Sequence, residues 1–315
     1  LKREPSIPVK LPEHAVSEDM LHQAFLEILF QEEDLNAQDI STDVVLCCSY
    51  WKDIYKYLRE FEENQPIRPR YLGIQSINGN MRAILVNWLV QVQVKLRLHQ
   101  ETLYMTVSLM DRFLQSNAVS KNTLKLVGVT AMFIACKYEE VLSLNTTDLV
   151  QITNNTYTKV QICQMETKIL RALDFVLGHP LPPHFLRRAV NIAEVNFEKY
   201  VLAMYLMELS IVDYDLAHFP PSKTAAAASC LALKLNGYQW TETMQYCMYY
   251  AESDLLPIMQ HMAKNVILVN RGMTKLSAVR NKYASRRNGR ISTIEQLDSN
   301  IIWDLAKPLL KNISF

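Results

Sequence analysis

The sequence predicts an all-α protein: two tandem five-helix bundles, with a helix before them and a tail after them. Three observations carry this reading. Only 7 of the 315 residues are glycine, where average usage of roughly 7% would give about three times as many. Helix interiors disfavour glycine, whereas tight turns and phosphate loops need it. Apolar residues recur at helical spacing along most of the chain. The pattern also restarts once, after a proline-rich break, with related elements at a fixed offset.

Residues 1–17 are polar and proline-bearing and are expected to be loose. From Ser17 an amphipathic stretch places Met20, Leu21, Ala24, Phe25, Ile28 and Leu29 on one face. A second, over 49–62, forms a stripe of Tyr50, Ile54, Tyr57, Leu58 and Phe61, ended by Pro66 and Pro69. Beyond the polar turn 76–80, five helices are predicted over 81–96, 101–115, 121–141, 146–153 and 158–173. Ser120 and Thr158 are placed to cap the third and fifth. Residues 178–183, from Gly178 to Pro183, break the pattern and mark a domain boundary. A second series follows over 183–193, 197–214, 222–235, 241–249 and 253–270. After Gly272 the chain turns basic, and an amphipathic piece over 294–305 is expected to pack back on the body. The divisions are thus an N-terminal extension (1–48), a helix and linker (49–79), two bundles (80–177 and 178–272) and a docked tail (273–315).

The two series are related. At an offset of 102 residues, Leu109-Met110-Asp111 meets Ile211-Val212-Asp213, and Ser120-Lys121 meets Ser222-Lys223. A small-residue helix follows each serine, as a central helix with close neighbours requires.

Composition narrows function. With 33 basic and 32 acidic residues the net charge is +1, too even for a domain held to nucleic acid through its phosphates. No apolar run approaches the roughly 20 residues that span a bilayer. The longest, 126–136 and 224–233, read as buried core helices. No secretory signal opens the chain, and it begins without Met, so an upstream segment is expected to be missing. None of the six cysteines forms a C-x-x-C pair or a zinc spacing, which fits a reducing intracellular compartment. Neither common nucleotide loop and no H-E-x-x-H occurs. His179 and His184 bracket a proline-rich bend without the geometry of a helical metal pair. Asp213 and Asp215 lack a third carboxylate nearby and are read as polar groups at a helix end. No catalytic set, metal site or cofactor is predicted, so function is expected to reside in surfaces.

One helix suggests such a surface. From Met81 to Val92 apolar residues occupy every face, the usual mark of a buried helix. Yet Met81, Ile84, Leu85 and Trp88 fall at i, i+3, i+4 and i+7, with Gln91 continuing the row. Exposed, that stripe makes a shallow apolar groove suited to a short peptide. Arg82 in the same helix needs a counter-ion, and Asp111 is the obvious one.

At these residues the chain resembles the cyclin family, in particular its B-type mitotic members. Met81–Trp88 is similar to the M-R-A-I-L-V-D-W-L signature of the cyclin box. Asp53-Ile54-Tyr55, Met110-Asp111-Arg112-Phe113, Lys137-Tyr138-Glu139-Glu140 and His184-Phe185-Leu186-Arg187-Arg188 match too, as do Gln260–Asn265 and Asn281–Ala284. The resemblance runs from about Glu18 to near the C-terminus and implies two stacked cyclin boxes. It implies a non-catalytic subunit that binds and activates a mitotic cyclin-dependent kinase, in cytoplasm and nucleus, at the G2/M transition. By motif position, Lys137 and Glu166 would hydrogen-bond the kinase's PSTAIRE-type helix. Ile134, Tyr138, Leu170, Phe175 and Leu177 would receive its apolar side, and Tyr50, Ile54 and Tyr57 would add a second contact. Met81, Ile84, Leu85, Trp88, Gln91 and Leu124, with Lys125 beside them, would form a groove for substrate and inhibitor peptides bearing Arg-x-Leu.

Three departures stand out. Asn87 replaces the family's usual Asp beside the groove, Lys125 a Gln, and Cys136 a Ser. They predict a weaker preference for basic docking peptides. The only R-x-x-L match, Arg82 to Leu85, lies inside the box helix, so a degradation signal is expected upstream. The main rival is a cyclin-fold transcription factor gripping DNA, which the even charge disfavours and a salt-dependent gel shift would separate. A helical-repeat scaffold is a second, disfavoured by the absence of repeats of 30 to 50 residues.

Overall fold

Helix caps and apolar spacing set the elements nearly where the sequence places them. The computed structural model describes residues 42–73, 75–193 and 197–310, with side chains described from residue 53 onward except 190–193. The expected helix after Ser17 lies outside the described residues, among which there are thirteen α-helices and no strand. Helix α1 spans Thr42–Glu63. The first bundle comprises α2 (Gly79–Leu96), α3 (Gln100–Leu114), α4 (Lys121–Glu139), α5 (Thr146–Ile152) and α6 (Lys159–Ala172). The second comprises α7 (Pro182–Ala193), α8 (Phe197–Ser210), α9 (Pro221–Leu235), α10 (Glu242–Met248) and α11 (Glu252–Asn270), followed by α12 (Ala278–Tyr283) and α13 (Asn300–Leu310). Residues Cys48–Phe315 form one unit, in which both bundles lie.

The caps are chemical. The Asn78 side chain accepts from Met81 N at 3.0 Å to start α2. Thr158 and Gln161 form a reciprocal capping box on α6, at 3.2 and 2.8 Å. Ser120 departs from expectation: its hydroxyl pairs with Thr123 Oγ1 at 2.9 Å and makes no cap bond to the backbone. Two predicted helices are also corrected. The 197–214 stretch ends its α-helix at Ser210, and Tyr214–Leu216 becomes a 3-10 turn in which Asp213 accepts from Asp215 N. In 294–305, Glu295–Asp298 is a 3-10 turn, Ser299 is extended, and the helix runs only from Asn300 to Leu310. Buried Leu297 sits three residues after Ile294, a spacing that serves a 3-10 turn as well as an α-helix.

In each bundle the third helix is central. In α4 every residue from Leu126 to Cys136 is buried, and in α9 every residue from Thr224 to Leu233. Helix α4 packs on α2, α3 and α6, and α9 on α7, α8 and α11, the same arrangement twice. Close approach needs small residues. A Cβ at Gly128 would meet the Leu85 methyls at 2.9 Å, so glycine there lets α4 lie against α2. Burial lifts the Cys136 and Cys230 thiols to about 12, which leaves them as inert core side chains.

The bundles are joined by polar contacts. Arg82, fully buried, binds Asp111 through Nε at 2.8 Å and Nη2 at 2.6 Å, and donates from Nη1 to Ile211 O at 2.9 Å. Tyr71 donates to the same carboxylate at 2.6 Å, and Tyr214 accepts from Leu72 N at 2.7 Å. Burial alone would lower the Arg82 pKa, but the Asp111 charge outweighs it and holds the guanidinium ionised. A cavity of about 320 Å³ lies beside this hub, lined from both bundles by residues such as Val107, His179, Leu216 and Phe219.

Helix α1 is moored to the second bundle. Tyr55 donates to His184 O at 3.0 Å, Arg59 sits between the Tyr249 and Tyr250 rings at 4.8 and 4.9 Å, and Glu62 accepts from Ser222 N at 3.0 Å. The expected single stripe on this helix is therefore corrected. Tyr55, Leu58, Arg59 and Glu62 face the protein, while Ile54 and Tyr57 face solvent. The tail is moored as firmly. Fully buried Glu208 receives Lys282 Nζ at 2.7 Å on both oxygens, Tyr283 OH at 3.0 Å and Gln100 Nε2 at 3.0 Å, so one carboxylate ties α12 to both bundles.

Candidate functional site

The first surface is built at the C-terminal end of α4 and along the second half of α6. Lys137 lies in the last turn of α4 and Glu166 in the middle of α6, and their side chains meet at 2.6 Å. Lys137 is 45% exposed and also lies over the Phe133 ring at 3.9 Å. Neither group is enclosed. Glu166 is 16% exposed, so the pair is open to solvent on its lysine side, where a partner can reach it.

Around the pair lies apolar surface. Tyr138 is 57% exposed and Phe175 67% exposed, and Leu170 and Leu177 are half-buried. Phe175 is held out by its backbone. Asp174 and Phe175 both adopt left-handed φ, 50° and 57°, after the end of α6, a conformation costly for non-glycine residues. The turn is braced by Phe175 N donating to Leu170 O at 2.9 Å and by Arg112 Nη2 donating to Val176 O at 2.7 Å. Arg112 was not singled out from sequence, since nothing in a local pattern signals a contact 64 residues away.

The patch continues onto α1. The Tyr57 and Phe61 rings stack at 5.8 Å, and a Cβ at Gly178 would lie 3.4 Å from Tyr138 OH and 3.9 Å from Phe61. Ile54 adds to it, while the Tyr50 side chain lies outside the described residues. Ile134 is a correction: it is buried in the core and is not itself part of the exposed surface. Val141 and Leu142, almost fully exposed between α4 and α5, are further exposed apolar residues that were not foreseen.

The second surface lies along α2 and α4. Ile84 and Gln91 are exposed, Met81 and Trp88 half-buried, and Leu85 and Leu124 form the floor. Lys125 places its ammonium 4.4 Å above the Trp88 ring centroid, so the indole is covered by a cation. Asn87 is another correction. It is buried and faces away from the groove, where its Oδ1 accepts from Ala278 N at 2.9 Å at the start of α12. Its replacement of Asp therefore concerns the tail and not peptide docking.

Asp213, Asp215 and His261 bring ligand-type atoms within 4.8 Å of one another. Asp213 Oδ2 already takes Lys264 Nζ at 2.8 Å, Asn265 Nδ2 at 3.0 Å and His261 Nδ1 at 3.2 Å. Burial opposes ionisation of Asp213, but the His261 hydrogen bond and the Lys264 charge outweigh it and hold the carboxyl well below the usual range. Among the described residues, no helix is long and apolar enough to cross a membrane.

Comparison with known proteins agrees with this architecture. The cyclin N-terminal domain model matches residues 53–178 and the cyclin C-terminal domain model residues 180–297. The chain belongs to the cyclin family. Within it, the relatives are B-type: the chain is 54% identical to G2/mitotic-specific cyclin-B1 of Xenopus laevis over 308 residues, 98% of this chain and 77% of that protein. It is 54% identical to cyclin-B2 of Bos taurus, over 94% of this chain and 75% of the relative, and 52% identical to human cyclin-B2, over 98% and 78%. A viral cyclin from herpesvirus saimiri shares the fold, with TM-score 0.60 and 18% identity over 67% of this chain and 96% of the other.

Proposed function

We propose that this chain is the regulatory subunit of a mitotic cyclin-dependent protein kinase, acting at the G2/M transition, and that it recruits substrates and inhibitors through the α2–α4 groove. The observation that carries this reading is the exposed apolar surface around the Lys137–Glu166 pair, running across Tyr138 and Phe175 to Ile54 and Tyr57. Contiguous apolar surface of this kind marks interaction sites. Its two polar groups, one donor and one acceptor side by side, suit the polar backbone ends of a partner helix.

The mechanism is a shift of population. A kinase whose regulatory helix is displaced lacks its assembled Lys–Glu pair and phosphate-binding parts. A subunit that binds the assembled arrangement better selects it. Turning a 1:99 equilibrium into 99:1 takes about 5.5 kcal/mol of differential affinity, and burying a large apolar side chain supplies roughly 1.5–3 kcal/mol. Phe175, Tyr138 and Tyr57 together are sufficient in scale. No catalytic group of this chain takes part.

The test mixes the purified chain with an unphosphorylated mitotic cyclin-dependent kinase and measures complex formation and phosphorylation of a histone substrate. The wild type is expected to bind and activate, and Lys137→Ala and Glu166→Ala to weaken binding. Wild-type affinity in both variants would reject the surface.

A further inference from the structure

The groove along α2 and α4 has a charge pattern that its apolar floor does not reveal. Helix α2 carries no acidic residue, and α4 carries none before Glu139 at its far end, whereas Lys95, Lys121 and Lys125 lie on the two helices. Lys125 forms no ion pair among the described residues, and its ammonium rests on Trp88 at 4.4 Å. An apolar anchor that is to pack on the indole must first displace this cation.

We propose that Lys125 is a specificity-determining lid, and that the groove takes extended peptides carrying an acidic residue beside their apolar anchor. The proposal rests on the reading of this groove as a docking site. The carboxylate draws the ammonium off the ring, which exposes the indole to the anchor, so charge recognition and apolar contact occur together. A basic residue at the same place leaves the lid shut and adds like-charge repulsion. Each exposed charge contact is modest, so the preference of glutamate over arginine is about fivefold in Kd and weakens with salt.

The experiment uses three fluorescent decapeptides that differ only two residues before a shared leucine, with arginine, glutamine or glutamate there. They are titrated against the full chain and its Lys125→Gln and Trp88→Ala variants by fluorescence anisotropy. The glutamate peptide is expected to bind the wild type tightest and the arginine peptide weakest, with the order lost in Lys125→Gln and all three weakened in Trp88→Ala. Equal or arginine-favouring affinities on the wild type, or an unchanged order in Lys125→Gln, overturn the proposal while leaving the docking site standing. If no peptide binds wild type or Lys125→Gln, the docking reading falls, and this proposal with it.

Discussion

Arg82 is the residue on which most of the architecture converges. Its guanidinium makes two bonds to Asp111 and a third to Ile211 O, so one side chain joins α2, α3 and the segment after α8. A buried pair of this kind need not add net stability, but removing one partner leaves an uncompensated charge in the core. Arg82→Met is therefore expected to cost about 3–5 kcal/mol, and Asp111→Asn a comparable amount, seen as a lower urea midpoint by circular dichroism. Arg82→Met combined with Asp111→Leu is expected to cost clearly less than the two losses together, because no lone charge remains. Additive losses would show that the pair acts through shape alone. Asp213, at Asp111's place in the second bundle, is held by Lys264 and Asn265 from α11 in place of an arginine. The duplication thus keeps the buried carboxylate and changes its partner.

Among the elements, the turn after α6 has the closest link between local structure and binding. Its two left-handed residues present Phe175, and Arg112 holds the next carbonyl from α3. Phe175 and Arg112 are therefore expected to act through one structure. Phe175→Ala and Arg112→Met should each reduce kinase affinity, about tenfold or more for loss of a buried aromatic anchor. The double variant should be little worse than Phe175→Ala alone, since a misplaced turn has no ring left to misplace. Calorimetric titration of the four proteins checks this, and additive effects would separate the two residues. Helix α1 gives the complementary case. Mooring through Tyr55, Arg59 and Glu62 leaves Ile54 and Tyr57 pointing outward on a helix that is already fixed, so a partner need not order it.

Across the whole molecule, periodicity was enough to read most of the helices, their duplication and the two central helices, because 3.6-residue spacing is a local property of the chain, but it did not separate the 3-10 turns Tyr214–Leu216 and Glu295–Asp298 from α-helix. It did not reveal which side of α1 is moored, that Asn87 faces α12, that Lys125 covers Trp88, or that His261 and Lys264 meet Asp213. Those contacts join residues tens to nearly two hundred positions apart, and a polar residue's phase on a helix does not name its partner. The same long-range packing sets the response to acid. His179, beside the inter-bundle cavity, is pushed down to about 4, first by burial and then by the Arg112 charge. Burial lowers His184 and His218 as well. All three resist protonation more in the folded chain than in the unfolded one, which protonates them near pH 6.5. The unfolded state binds more protons in that window, so stability is full above about pH 6.5 and falls as pH drops toward 4. Buried Glu62 and half-buried Glu139 have raised pKa values and oppose this, but in Glu62 the Ser222 hydrogen bonds offset part of the burial effect. The histidines are therefore expected to win, with His179 contributing at most about 3 kcal/mol. Urea midpoints measured at pH 7.5, 6 and 5 should decline steadily, and His179→Gln should flatten the decline. A midpoint that holds or rises between pH 7.5 and 5 would mean that these carboxylates dominate the balance instead.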